Sequence, residues 1–231
     1  MTSPGQADTG LFVSIDGPGG VGKTALAVAA VRQLAARGRQ VHLTREPSPT
    51  PLGEIIRSGT GTYRGLALAC LVAGDRHHHL SSEIRPHRDA GQVVLCDRYL
   101  PSSLVLQRID GIAWETIITL NDGADLPALA IILNADPAVI AARLARRGGH
   151  SRFEAMPGSS QAESALYRET AQRLAGDGWP VWCLDAASGT PDQLAAAVTA
   201  RILTLHPAVT RSLRDHHRPV PANPEHRQPV R

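Results

Sequence analysis

The stretch DGPGGVGKTALA, residues 16–27, decides the reading of this 231-residue chain. Gly17-x-x-x-x-Gly22-Lys23-Thr24 fits the phosphate-binding loop pattern. In such a turn the backbone N–H groups point inward at phosphate oxygens, and the N-terminus of the following helix adds a favourable field. Gly17, Pro18, Gly19, Gly20, Val21 and Gly22 would form the cradle. Lys23 would span the terminal phosphates, and Thr24 would ligate a magnesium ion. A nucleoside triphosphate with Mg2+ is the ligand this pattern predicts. Many signalling ATPases spell the loop in much the same way, so the loop alone leaves a hydrolytic switch and a phosphotransferase both open.

Outward from the loop, LFVSID (11–16) is a short apolar run that feeds it. Thr24 to Arg37 carries apolar residues at helical spacing, with Gly38 as a C-terminal cap. Further strands are predicted at 41–44, 93–97, 128–134 and 181–185. Helical stretches are predicted at about 65–88, 111–121, 136–147, 161–175 and 190–204. Apolar strands alternating with helices predict an α/β fold, a doubly wound parallel five-stranded sheet covered on both faces. This domain spans 11–204. Its segment 146–161, RRGGHSRFEAMPGSSQ, is polar and arginine-rich, the composition of a mobile lid.

The ends of the chain differ from this domain. Residues 1–10 have no apolar core and no basic head, which excludes a secretion signal and gives a disordered N-terminus as the expectation. Residues 205–231 mix Pro, Arg and His without aromatics. They read as a disordered, solvated tail rather than a nucleic-acid-binding arm. No apolar run reaches the ~18 residues of a membrane span, so no membrane partner is expected and the cytoplasm is the expected location. Cys70, Cys96 and Cys183 are widely spaced and read as buried structural thiols. His77, His78 and His79 sit on adjacent helical positions about 100° apart, which cannot share one metal ion.

The third strand, VVLCDRY, ends in one aspartate followed by arginine and tyrosine, not in the paired acids of signalling ATPases. Arg45, Arg76 and Arg98 fall at strand ends or on the adjoining helix, at the sheet edge where such folds bind ligands. A second cluster of planar, always-charged groups suits an acceptor that carries its own phosphate.

The strings TREPSPTPLGE (44–54), AGDRHHHL (73–80) and DRYLPSSLVLQ (97–107), in register behind the loop, resemble thymidylate kinase, a family of nucleoside monophosphate kinases. The resemblance runs from about Leu11 to Ile202. It implies the P-loop nucleoside monophosphate kinase fold and a homodimer whose contact is the long helix 65–88. It also implies transfer of the γ-phosphoryl of ATP to a nucleoside monophosphate, with thymidylate the leading acceptor. Residue by residue it implies that Arg45 and Arg98 bind the acceptor phosphate and that Arg76 reaches the acceptor base. Asp97 would organise Mg2+ opposite Thr24. Ser102 and Gln107 would line the acceptor site, and Arg152 of SRFE would close on the transferred group. Lys23, Asp97 and Arg152 are thus the expected catalytic set, with Arg143, Arg146 and Arg147 as helpers.

Three departures touch nucleoside recognition. Gly19 stands where the family loop carries an acidic residue that faces the acceptor's 3′-hydroxyl. Val72 stands where a phenylalanine stacks on the base, and Leu106 where a tyrosine abuts the sugar. These keep two alternatives open: a kinase for another pyrimidine or modified nucleotide, and a regulatory ATPase on a degenerate kinase scaffold.

Overall fold

A computed structural model describes residues 10–148, 151–205 and Leu213. Five strands form one sheet in the order β2-β3-β1-β4-β5: β1 (Leu11–Asp16), β2 (Val41–Arg45), β3 (Val93–Asp97), β4 (Leu129–Asn134) and β5 (Val181–Asp185). All four pairings are parallel, and Ile15 of β1 and Arg45 of β2 both stand in register with Asp97 of β3. The carboxyl ends of the strands therefore converge on one edge, as the sequence predicts.

Period-two alternation divides β1 between two cores. Leu11, Val13 and Ile15 face a layer made by α1 (Lys23–Ala35), α7 (Pro137–Arg147) and α10 (Pro191–Leu203). Phe12 faces the opposite layer, which includes α5 (Leu100–Ile109) and α6 (Trp114–Leu120). Ser14 and Asp16 share that second face, so the last residue of β1 meets the start of α5. Capping fixes several helix starts. Asp136 accepts from the Ala138 N–H at the head of α7, and Thr190 and Gln193 form a reciprocal capping box on α10.

Three findings depart from the sequence expectations. The helix expected over 65–88 is α3 (Gly65–His79), a π-helical turn (Leu80–Ile84) and α4 (Arg85–Asp89). Two helices, α2 (Pro51–Gly59) and α5, occupy segments to which no helix was assigned; each has proline in its first turn, where the missing N–H costs nothing. Of the cysteines only Cys96 is buried. Cys183 lies on the edge strand β5 and Cys70 on the outward side of α3, so neither has a layer above it. The expected lid contains α8 (Arg152–Ala155) and leads into α9 (Ser159–Gly176), while its residues 149–150 lie outside the described ones. The N-terminal expectation for residues 1–9 also lies outside them, as does the tail apart from Leu213. That residue is 1% exposed in the second core, and its N–H donates to the Ala124 carbonyl, so the tail docks at this point.

Candidate active site

The glycine loop owes its shape to close approach and to backbone sign. A Cβ on Gly17 would lie 2.2 Å from the Leu133 carbonyl oxygen, so β1 can turn beside β4 only without a side chain there. Gly22, at φ 114°, is the N-cap of α1 and offers no side-chain cap, which leaves the first-turn N–H groups to an anion. Lys23 folds back over the loop, its Nζ donating to the carbonyls of Gly17 at 2.8 Å and Pro18 at 2.7 Å. Burial, helped by the Arg98 charge, lowers its pKa to about 7, against the opposing pull of Asp97, Glu163 and Asp16.

One residue along α1, the Thr24 hydroxyl donates to Asp97 Oδ2 at 2.5 Å. The other carboxylate oxygen, Asp97 Oδ1, is buried without a partner. A hydroxyl and a half-used carboxylate side by side are hard oxygen donors that fit Mg2+, whose protein ligands are typically few because substrate phosphates and water complete its shell. Among the described residues no group of three or more His, Cys, Asp or Glu could hold a metal ion. Of the three adjacent histidines, His79 is buried against Thr44, and His77 faces the Leu120 carbonyl.

Arg98 follows Asp97 with a positive φ of 77°, a strained conformation for an arginine and typical of functional sites. The strain is held by the turn around it. Asp16, fully buried, accepts from the N–H groups of Tyr99 and Ser102 and from the Ser102 hydroxyl. Burial raises the Asp16 pKa against these hydrogen bonds. Arg98 is itself half-buried, and its Nη1 is a buried donor without a partner. Burial pulls its pKa down, but Tyr167, Asp97, Glu163 and Glu154 outweigh that and hold it above its ordinary value.

Two cavities meet at Arg98. One, of about 260 Å3, is walled by Gly22, Lys23, Thr24, Asp97, Arg98 and Arg147. The other, of about 360 Å3, is walled by Arg76, Val72, Ser102, Leu106, Gln107 and Arg98, among others. A third, of about 270 Å3, lies behind the loop between Val21, Arg143 and Pro191, and Arg143 donates to the Val21 carbonyl at 3.0 Å.

Most of the sequence-predicted residues thus share one site, but three sit differently from expectation. Arg45 is exposed at the end of β2 and lines neither cavity. Arg57 of α2, unnoticed in the sequence, does line the larger one. Arg76 reaches that cavity with its guanidinium already engaged by Glu46, Ser103 and Asn121, which leaves one N–H for a ligand. Arg152 turns away from the loop to the Asp110 carboxylate and to the Thr60 carbonyl at 2.5 Å. Arg147 of α7 takes the place beside the phosphate cavity instead. Ser102 acts as a relay, donating to Asp16 and accepting from Tyr167. Gln107 is 3% exposed, and its amide oxygen has no partner. Val72 packs against the cluster that contains Phe153 of α8, and both line the larger cavity, which brings an aromatic ring to the region where the sequence has lost one.

With this geometry in place, comparison with known proteins is specific. The sequence matches the family model for thymidylate kinase over residues 15–192. It is 32% identical over 194 residues to a probable thymidylate kinase of Pyrobaculum aerophilum, covering 83% of this chain and 95% of that relative. It is 34% identical over 202 residues to a thymidylate kinase of Leifsonia xyli, covering 84% and 94%. A thymidylate kinase of Deinococcus radiodurans is 33% identical over 171 residues, covering 71% and 80%. A phosphate loop, a lone aspartate facing it and an arginine in the wall between two cavities, together with these matches, place the chain in the thymidylate kinase family.

Proposed function

We propose that this protein transfers the γ-phosphoryl group of ATP to thymidylate, giving the diphosphate. One observation carries the reading: Arg98, half-buried and with a buried, unpartnered Nη1, stands in the wall shared by the loop cavity and the larger cavity. A group that only activated water would need no second, larger pocket across such a cation. The donor phosphates lie along the loop against Lys23, and the acceptor phosphate meets Arg98, with its nucleoside in the larger cavity. Gln107 presents its unpartnered amide oxygen, and Arg76 its remaining N–H, to the acceptor base. The adenosine end of the donor lies behind the loop beside Arg143.

The chain's work is positioning and charge neutralisation, which dominate phosphoryl transfer. No general base is required, because the second pKa of a phosphate ester is about 6 and the attacking oxygen is already ionised. Lys23, Arg98 and Arg147 neutralise charge around the transferred group, so Arg147 takes the role first expected of Arg152. Thr24 and Asp97 would hold Mg2+, which would supply further neutralisation of phosphate charge when bound.

The same reading includes a homodimer through α3 that acts in the cytoplasm. Leu66, Cys70, Gly74 and His78 form an exposed stripe at i, i+4 spacing along that helix, and Leu66 is 53% exposed. Leu66→Asp would split the dimer in a sedimentation experiment. The function is tested by offering a panel of nucleoside monophosphates with ATP and magnesium. Thymidylate is expected to stimulate ATP consumption most, and ATP turnover indifferent to every monophosphate would refute a kinase.

A further inference from the structure

Glu154 of α8 lines both the phosphate cavity and the acceptor cavity. It occupies the space above Gly19: a Cβ built on that glycine would lie 2.5 Å from both Cγ and Oε1 of Glu154. The side chain is 8% exposed, and Arg147 Nη2 donates to its Oε2 at 2.8 Å. The segment that carries it is anchored on both sides. Phe153 is 5% exposed in a cluster with Ile56 and Leu68, and Arg152 is tied to Asp110 and Thr60. Below it, the Gly19 N–H donates to the buried Glu163 carboxylate at 2.9 Å, which fixes the loop under Glu154.

A carboxylate at the junction of two phosphate-binding cavities repels both phosphates, so its ligand is a hydrogen-bond donor. On a nucleotide acceptor whose phosphate meets Arg98, the portion next to that phosphate is the sugar, and in a deoxynucleoside 5′-monophosphate the one free sugar hydroxyl is the 3′-hydroxyl. We infer that Glu154 accepts a hydrogen bond from the acceptor's 3′-hydroxyl, reaching from α8 into the space that the absence of a side chain at Gly19 leaves open. This assignment rests on the reading of the larger cavity as the acceptor site. It makes Glu154 a specificity residue for the acceptor sugar, carried on a different element from the loop beneath it.

The test is calorimetric binding of thymidylate and of 3′-deoxythymidylate, without ATP, to the full-length protein and four variants. The wild type is expected to bind the deoxy analogue roughly ten- to hundredfold more weakly, the range for a hydrogen bond to a charged acceptor. Glu154→Ala should bind the two ligands alike, and Glu154→Gln, which keeps the volume, should fall between. Gly19→Asp alone should weaken thymidylate binding because its side chain meets Glu154. Gly19→Asp combined with Glu154→Ala should recover discrimination, a non-additivity that a merely structural role would not produce. If the Glu154 variants keep the wild-type preference for the 3′-hydroxyl, the assignment is overturned while the acceptor reading stands. If the wild type binds no monophosphate, the acceptor reading itself fails and the assignment falls with it.

Discussion

The hydroxyl of Thr24, in the first turn of α1, donates to the carboxylate of Asp97 at the end of β3 across 2.5 Å. This contact ties the phosphate loop to the neighbouring strand and leaves Asp97 Oδ1 as a buried oxygen without a partner. Asp97→Asn should therefore lower kcat by roughly a hundredfold or more, the usual cost of removing one preorganised electrostatic group, with a much smaller effect on ATP affinity. Turnover against magnesium concentration checks it. Wild-type turnover at limiting magnesium would remove Asp97 from this role.

Lys23 gives a pH signature. In the free protein burial lowers its pKa to about 7, so above that pH much of it is neutral. Bound polyphosphate favours the charged form and raises the pKa. Above pH 7 binding must then take up a proton, and affinity should fall as pH rises, by at most about tenfold per unit. Titration calorimetry at pH 8 in buffers of different ionisation heat measures this uptake. It should vanish in Lys23→Met, and Lys23→Ala should abolish transfer in a folded protein.

Arg147 and Arg152 should separate in steady-state kinetics. Arg147 lines the phosphate cavity, whereas Arg152 is engaged by Asp110 and Thr60. Arg147→Ala is expected to reduce kcat by about ten- to a hundredfold, as for loss of a charged hydrogen bond made during transfer. Arg152→Ala should chiefly raise the acceptor KM, by loosening α8. The reverse pattern would return the catalytic role to Arg152.

Leu213 is buried in the core beneath α5 and α6, although it lies beyond the last helix of the domain. Leu213→Ala should destabilise the protein by about 2–5 kcal/mol, the range for large-to-small changes in a core. Truncation after Leu205 should do so comparably. Urea denaturation measures both, and an unchanged midpoint would show that Leu213 contributes no packing.

Much of this was legible in the sequence because it is local. The loop, its strand and helix, and the five apolar strands follow from periodicity and from a motif whose parts are adjacent in the chain. Asp97, Arg98, Ser102 and Gln107, which line the two cavities, stand in one short string that begins at a strand end. What was not legible depends on distant pairings. Glu154 fills the space above Gly19, and Phe153 lines the same cavity as Val72, so two positions that read as losses are met by residues about 135 and 81 places further along. The pairing of Arg152 with Asp110, 42 residues away, is hidden for the same reason. Asp16 was overlooked as the last strand residue, although it was visible as a polar group ending an apolar run.

The central claim is that the γ-phosphoryl group passes to an acceptor phosphate across Arg98. Its most direct test follows a label in the γ-position of ATP, incubated with magnesium and thymidylate, and identifies where the label goes. The account predicts labelled thymidine diphosphate, formed in step with unlabelled ADP and lost when thymidylate is omitted. Label recovered as inorganic phosphate at a rate independent of thymidylate would contradict it.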